Sequence, residues 1–233
     1  NSLKSLLCVE GNKLLYKYCN QKSILYKKCG KIIVAVNNDE VKIINEIFVQ
    51  SKNNGVKDGM ILTGKEIMEI EPNINASAGL FFPSTGVVDS FGLMKQLLSD
   101  AEFNGTNIVY NSRVVGIAKI NNGYKVKICD KDGDFSFTTK VVINTSGLNS
   151  DKVSNLVGIN DNNYNLYFWK GEYFALGNGK NKMINRLIYP VPNKNKTGLG
   201  VHVTIDINNN VKLGPNAIFL QNNKIDYTVD INH

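Results

Sequence analysis

The chain has 233 residues, of which 42% are hydrophobic, with 20 Gly and 5 Pro; this is the composition of a globular protein with one large domain or two small ones. The formal net charge of +7 comes almost entirely from lysine, and no Lys/Arg cluster is interleaved with aromatic residues, so nucleic-acid binding is not indicated. No apolar run approaches the ~18 residues of a membrane span, and we expect no integral membrane segment.

The cysteine and histidine patterns do not indicate a metal site. The four cysteines include no CxxC pair, and the chain has 2 histidines, whereas a zinc site needs a clustered set of these ligands. Scattered thiols of this kind are typical of reduced, intracellular proteins. We therefore expect a cytoplasmic protein, with peripheral association at the inner face of the membrane as an alternative.

The first third of the chain is predicted to be mainly helical. Apolar residues at helical spacing predict an amphipathic helix over residues 3–22. Residues 31–36 have strand composition, and Asp39 is placed to cap a second helix that ends near Gly55. Thr63-Gly-Lys-Glu66 has the sequence of a capping box, which predicts the start of a short helix.

The middle of the chain is predicted to contain a helix followed by a β-meander. The helix begins at Asp89 or Ser90 and ends at Gly105, where a left-handed residue is wanted. A strand over residues 108–120 leads to Asn122-Gly123, the signal of a type I′ hairpin turn.

The stretch from Lys140 to Asp151 is the most suggestive part of the sequence. A strand over residues 135–143 ends in Val141-Val142-Ile143, which is predicted to be buried on both faces. Small residues at 144–147 then precede a helix opened by Ser150. A buried strand, a tight turn and a helix N-terminus together predict an anion site, although plain strand–helix connections have the same pattern.

From Tyr164 onward the pattern predicts an antiparallel sheet in a second domain. The strand candidates, separated by Gly, Asn and Pro turns, are residues 167–176, 187–191, 198–207 and 211–220. The inner face of this sheet is predicted to carry Trp169, Tyr173, Tyr189, His202 and Asn216.

Eight short motifs occur in one order along the chain. They are Cys8-Val-Glu-Gly11, Cys29-Gly-Lys-Ile-Ile-Val-Ala-Val36, Thr85-Gly-Val-Val-Asp89, Ser146-Gly-Leu-Asn-Ser-Asp151, Lys170-Gly-Glu-Tyr173, Tyr189-Pro-Val-Pro192, Gly200-Val-His202 and Leu213-Gly-Pro-Asn-Ala217. In this order the chain resembles the FAD-dependent oxidoreductases of the D-amino-acid-oxidase superfamily, closest to the L-2-hydroxyglutarate oxidase/dehydrogenase family.

The resemblance implies an α/β (α+β) fold: a partial FAD-binding Rossmann-like domain with a β-meander, and an antiparallel-sheet substrate domain. The implied boundaries are residues 1–30 and 86–163 for the first, and 31–85 and 164–233 for the second. The family also has a GxGxxG motif, which this sequence lacks. We therefore interpret the chain as an internal fragment.

The resemblance also implies the site residues. Those matching the cofactor-binding positions of the family are Arg113, Val114, Thr145, Ser146, Gly147, Leu148, Lys170 and Gly171. Those at the substrate side are Tyr173, Tyr189, His202 and Asn216. His202 is the only internal histidine and hence the candidate catalytic acid/base; a hydrogen-bonded sheet histidine and packing tyrosines are the competing interpretations. The family has Arg where this chain has Lys170, and Lys does not offer the bidentate fork of Arg.

The activity implied is FAD-dependent oxidation of a small anionic L-2-hydroxy acid, L-2-hydroxyglutarate to 2-oxoglutarate, by hydride transfer to flavin N5. Two alternatives remain at this point. One is an inactive or weakly FAD-binding fragment that acts with a complementary chain fragment. The other is a glycerol-3-phosphate or amino-acid oxidase of the same superfamily.

Overall fold

The computed structural model describes residues 2–177, 179–180, 183–192, 200–221 and 224–230. The α-helices are α1 (Leu3–Gln21), α2 (Asn38–Asn53), α3 (Gly64–Ile70), α4 (Ser90–Phe103) and α5 (Ser150–Asn155). The strands are β1 (Tyr26–Lys27), β2 (Lys31–Ala35), β3 (Met60–Thr63), β4 (Ala78–Phe82), β5 (Val87–Val88), β6 (Arg113–Ile120), β7 (Gly123–Asp130), β8 (Gly133–Thr139), β9 (Trp169–Lys170), β10 (Phe174–Ala175), β11 (Leu187–Pro190), β12 (His202–Ile205), β13 (Val211–Gly214) and β14 (Ile218–Phe219). None of the helices in this part of the chain has the length and apolarity that a bilayer crossing needs.

A seven-stranded sheet with the order β10-β13-β12-β11-β2-β4-β3 is the largest element. The antiparallel pairing predicted for the strands after Tyr164 is confirmed among β10, β13, β12 and β11. The outer strand β11 of this group then joins β2 in parallel, with Leu187 opposite Lys31. Every other pairing in this sheet is antiparallel. The parallel pair arises where a strand from the second half of the chain joins β2 from the first half. Residues 198–199 of one predicted strand lie outside the described residues, and Trp169 belongs to a separate two-stranded sheet of β9 and β14.

Hydrophobic cores cover both faces of this sheet because residues alternate along β2. Ile33 and Ala35 pack in a cluster that includes Ile44 of α2. Ile32 packs in a second cluster, against Ile70 at the end of α3. The sheet is therefore covered by a helix on each face near β2.

Side chains that cap the helices decide where α2 and α3 begin. The predicted cap at Asp39 is wrong: the N-cap is Asn37, whose side chain accepts a hydrogen bond from the Glu40 N–H. Asp39 lies within the first turn instead, where a carboxylate is favoured by the helix dipole. The predicted capping box is confirmed, with Thr63 and Glu66 each bonding the backbone of the other.

A three-stranded antiparallel meander, β6-β7-β8, follows α4. Its first strand begins only at Arg113, later than the predicted residue 108. The first turn is also shifted, because Ile120 pairs with Gly123 and the loop residues are Asn121 and Asn122. Neither asparagine has a positive φ, so the type I′ turn is wrong; that turn needs positive φ at both loop residues.

The predicted buried strand at 141–143 is also wrong. The third meander strand ends at Thr139, and Val141 and Ile143 are 66% and 79% exposed. Only Val142 packs with the core of the meander. The apolar run is not a strand because no strand in the described part of the chain pairs with it.

The chain forms two compact units. The first contains residues 1–101, 170–218 and 229–233, and the second contains residues 102–169 and 219–228. The first unit holds the seven-stranded sheet with α1 to α4, and the second holds the meander with α5. The sequence-based domain division groups α1 and α4 with the meander, and that division stays a prediction about a complete flavoprotein.

Candidate functional site

His202 and two tyrosines form an aromatic cluster in the first unit. His202 opens β12 and is only 5% exposed. Its ring stacks on Tyr189 of β11, with the ring centroids 4.0 Å apart and the planes 18° from parallel. Tyr173 approaches the imidazole edge-on, at 6.3 Å between centroids. The structure thus brings together three residues that were predicted to share a site.

The backbone fixes the tautomer of His202. Its Nδ1 lies 3.0 Å from the carbonyl oxygen of Gly200, and a carbonyl oxygen can only accept a hydrogen bond. Nδ1 therefore carries the proton in the neutral ring, which leaves Nε2 with a lone pair. A neutral imidazole held in this way can accept a proton at Nε2.

The surroundings of Tyr189 favour the protonated form of its phenol. Burial raises the pKa of Tyr189, and the nearby Tyr173 raises it further. A protonated phenol can donate a hydrogen bond to an anion. The cluster therefore combines a proton acceptor with a hydrogen-bond donor.

A second set of polar groups surrounds the buried carboxylate of Glu172, which is 7% exposed. Asn216 Nδ2 donates to Glu172 Oε2 at 2.8 Å, and the Asp230 N–H donates to Oε1 at 3.1 Å. Lys170 Nζ lies 3.2 Å from Oε1. These contacts lower the pKa of Glu172 to about 2. The hydrogen bond from Asn216 contributes most to the lowering, and burial opposes it. Glu172 is therefore ionised at neutral pH and serves as the carboxylate partner of Lys170.

Close backbone packing accompanies this carboxylate. The Oδ1 atom of Asn216 accepts a hydrogen bond from the Glu172 N–H at 2.8 Å, so both ends of the Asn216 amide bond Glu172. A Cβ at Gly171 would lie 2.8 Å from Cβ of Pro215, so only glycine fits there without a shift. Lys170, Gly171 and Asn216, predicted to contact cofactor or substrate, are thus grouped around Glu172.

The other predicted cofactor positions lie in the second unit. Arg113 opens β6 and is exposed, whereas Val114 packs in the core of the meander. The turn at 145–148 is exposed, and Gly147 within it has a φ of +57°, a left-handed value that favours glycine. Nothing lies within 4 Å of a Cβ added at Gly147. The turn is therefore open on this side.

Asn144, which the sequence did not single out, holds this turn in shape. Its Nδ2 donates to the Ser150 carbonyl at 2.8 Å and to Ser154 Oγ at 3.2 Å. Its Oδ1 accepts from Ser146 Oγ at 2.6 Å. An Asn directly before a small-residue turn is the signal that sequence reasoning could have used. Glu172 was likewise missed, although it lies inside the Lys170–Tyr173 motif.

Comparison with known proteins identifies the family. The model of the DAO family, described as FAD dependent oxidoreductase, matches residues 2–232. The chain belongs to this DAO family. The resemblance to the D-amino-acid-oxidase superfamily is thereby confirmed, and so is the mixed α/β fold class.

Among the curated relatives of this DAO family chain are L-2-hydroxyglutarate dehydrogenases. That of Escherichia coli strain K12 is 32% identical over 217 residues, which are 93% of this chain and 50% of the bacterial protein. The mitochondrial protein of Caenorhabditis elegans is 35% identical over 218 residues, with the same coverage of 93% and 50%. The chain therefore spans about half the length of the curated relatives it matches.

Two solved enzyme structures share the fold of this chain. L-α-glycerophosphate oxidase from Mycoplasma pneumoniae, solved with FAD bound, has a TM-score of 0.83 at 23% sequence identity. The matched region is 94% of this chain and 57% of the oxidase chain. L-proline dehydrogenase from P. horikoshii has a TM-score of 0.82 at 19% identity, with coverage of 97% and 58%. At these identities the likeness is one of fold.

Proposed function

We propose that the protein containing this chain oxidises L-2-hydroxyglutarate to 2-oxoglutarate with FAD as the cofactor. The observation that carries this proposal is His202, whose Nδ1 faces the Gly200 carbonyl and whose ring stacks on Tyr189. Oxidation of an alcohol needs a group that accepts the hydroxyl proton. The names of the relatives, L-2-hydroxyglutarate dehydrogenase, support this substrate over other hydroxy acids.

The residues of the first unit take the following parts in the proposed reaction. His202 Nε2 accepts the proton of the substrate hydroxyl, and the Gly200 carbonyl holds the ring in the required tautomer. The phenols of Tyr173 and Tyr189 donate hydrogen bonds to a substrate carboxylate. Asn216 Nδ2 donates one N–H to Glu172 Oε2 and its second N–H to the same substrate carboxylate. FAD, when bound, supplies the acceptor for the hydride that leaves C2 of the substrate.

The exposed turn of the second unit fits a cofactor. We assign Thr145, Ser146, Gly147 and Leu148 to backbone contacts with FAD, because the open space at Gly147 lets a ligand approach the main chain. Arg113 and Val114 are assigned to the adenine side, and Lys170 and Gly171 to the flavin side. The ion pair of Lys170 with Glu172 orients Lys170 in this assignment.

The test is the rate at which bound flavin is reduced under anaerobic conditions, measured as the loss of its visible absorbance. L-2-hydroxyglutarate should reduce the flavin faster than glycerol 3-phosphate or any amino acid does. His202→Asn should slow reduction by about 10²–10⁴-fold, the range for loss of a general base, while Asp39→Asn on the exposed start of α2 should not. Faster reduction by an amino acid would assign the protein to the amine oxidases instead.

A second candidate is a fragment that acts only with a complementary chain fragment. The exposed side chains of Val141 and Ile143 favour it, because an apolar run such as 141–143 normally lies inside a sheet. Purified chain that lacks flavin colour, and that gains it only when mixed with a complementary fragment, would support this reading. A yellow protein without any partner would exclude it.

We also propose a cytoplasmic location, with peripheral association at the inner face of the membrane as the finer alternative. The four cysteines are unpaired, as is usual for proteins of a reducing compartment. Fractionation of cells that express a tagged full-length protein would decide between the soluble and the membrane-associated fraction.

A further inference from the structure

Lys31 is a charged residue at the head of a central strand. It is the first residue of β2, with Leu187 opposite it on one side and Phe82 on the other. Along β2 it shares a face with Ile33 and Ala35, which lie in the sheet core. A lysine at such a position needs a specific reason, because ammonium groups are rarely taken out of water.

The ammonium group of Lys31 lies against two aromatic rings. Nζ is 5.3 Å from the ring centroid of Tyr189 and 5.7 Å from that of Phe82. Tyr189 is the residue on which His202 stacks. Lys31 is therefore separated from His202 by a single tyrosine.

In the described part of the chain, no carboxylate forms an ion pair with Lys31. Burial lowers the pKa of Lys31, and no carboxylate among the described residues counteracts this lowering. A partly buried cation that lacks a protein anion is a suitable partner for a ligand anion.

A cavity of about 920 Å³ opens beside Lys31. This volume lies within the range that small-molecule sites occupy. Two further lysines, Lys13 and Lys57, line it, so three lysines stand against two carboxylates and the lining keeps one net positive charge. Of its two carboxylates, Asp58 accepts a hydrogen bond from the Ser84 N–H at 2.8 Å, and Glu46 is exposed.

The walls of the same cavity also suit a short aliphatic chain. Val9 of α1, Ile47 of α2, Val56 and Phe82 contribute apolar surface. Positive charge next to aliphatic walls matches an acid with methylene groups between its carboxylates. An inorganic anion would leave the apolar walls without a partner.

We propose that Lys31 binds a carboxylate of a small aliphatic dicarboxylic acid held in this cavity. His202, Tyr173 and Tyr189 are not among the residues that line this cavity, so the proposed binding site lies beside the aromatic cluster and goes beyond the proposed function. Lys31 then holds one carboxylate, and Lys13 and Lys57 of the same lining are available to the second, which favours dicarboxylates over monocarboxylates.

The test uses glutarate and butyrate, which lack the hydroxyl group and cannot be oxidised at it. Their dissociation constants for the full chain, without added FAD, are measured by NMR titration. Glutarate should bind more tightly than butyrate, with shift changes at the amides of Tyr189 and His202. Lys31→Met should weaken glutarate binding by about tenfold or more, the effect of losing a charged hydrogen bond.

Two further variants separate charge from folding. Lys31→Arg keeps the charge and should retain part of the glutarate affinity. Lys140→Met removes an exposed lysine outside the cavity and should change the affinity by less than about twofold, as is usual for surface substitutions. Amide spectra of each variant establish that the sheet is folded.

Failure of this proposal can be told from failure of the proposed function. Glutarate that does not bind the wild-type chain, or that binds Lys31→Met as tightly as wild type, overturns the role of Lys31. Flavin that is reduced by L-2-hydroxyglutarate would still uphold the proposed function in that case. Conversely, Lys31-dependent glutarate binding without flavin reduction keeps the binding site and removes the oxidation.

Discussion

Two stretches of this chain have nearly the same local sequence and opposite surroundings. Lys31-Ile-Ile-Val-Ala35 forms β2, where Ile32 is fully buried. Lys140-Val-Val-Ile-Asn144 has the same lysine and three aliphatic residues, yet Ile143 is 79% exposed. The first pairs with a strand on each side, and in the described part of the chain the second pairs with none. Partner strands, and not the apolar pattern, decide which stretch is buried.

Amide hydrogen exchange should give the largest difference between the two stretches. Amides of β2 inside both ladders should exchange only on global opening of their unit, with a free energy of ~5–15 kcal/mol for a typical domain. Amides of 141–143 should exchange with an opening free energy of ~0 kcal/mol, because they belong to no ladder in the described part of the chain. Equal protection of both stretches would show that 141–143 has found a partner strand, within the chain or in an assembly.

The same substitution at the two isoleucines should have unequal effects. Ile32→Ala removes buried methyl groups and should lower the free energy of unfolding by about 2–5 kcal/mol. Ile143→Ala should change it by about 0.5 kcal/mol or less, as expected for an exposed side chain. Urea denaturation followed by amide signals of β2 and β4 measures the first effect, since Trp169, the single tryptophan, lies in the second unit. A large loss from Ile143→Ala would mean that the exposed run is buried in solution.

This contrast explains how much of the fold could be predicted. Capping chemistry is local, so the start of α3 at the Thr63–Glu66 box followed from the sequence alone. The burial of β2 and the exposure of 141–143 depend on residues far away in the chain, which periodicity does not reveal. The parallel pairing of β2 with β11 is of the same kind, because it joins strands more than a hundred residues apart.

The candidate site also has a part that the sequence predicts and a part that only the structure reveals. A resemblance in motif order was enough to bring His202, Tyr189 and Tyr173 to attention, and these three side chains do cluster. Lys31 was not singled out, because a lysine at the edge of an apolar run normally reads as a solvated strand end. Only the tertiary structure places its ammonium group against Tyr189.

Two glycines extend the comparison from side chains to the backbone. A Cβ at Gly79, in β4 beside β2, would lie 2.8 Å from Ile67 Cδ1 and 2.9 Å from Ile32 Cγ2, so Gly79→Ala should cost about 1–3 kcal/mol by overpacking. A Cβ at Gly147 would meet nothing within 4 Å, but φ there is +57°, so Gly147→Ala should cost about 1 kcal/mol through the backbone.

Substitution by asparagine distinguishes overpacking at Gly79 from backbone strain at Gly147. It tolerates positive φ, so Gly147→Asn should be nearly neutral, whereas Gly79→Asn should be worse than Gly79→Ala. Equal tolerance of Asn at both positions would refute the packing argument for Gly79. Thermal or urea unfolding of each unit, followed by its own amide signals, provides the measurement.

The smallest expected effect is on the pH dependence of stability. It compares Lys31, the first residue of β2, with Lys140, which precedes residues 141–143. Because burial lowers the pKa of Lys31 in the folded chain, the unfolded chain binds more protons than the folded one between that pKa and the unfolded value of about 10.4. The free energy of unfolding should therefore gain a contribution that rises with pH across this window. Lys31→Met should remove that contribution and Lys140→Met should leave it.

Tyrosines act in the opposite direction over the same range. The raised pKa of Tyr189 means that the unfolded chain loses its phenol proton first, so stability falls as pH rises above about 10. Comparing each variant with wild type at every pH cancels this background. Parallel curves of unfolding free energy against pH for wild type and Lys31→Met would mean that the Lys31 ammonium is as well solvated as that of Lys140. The two stretches would then differ only in their aliphatic residues.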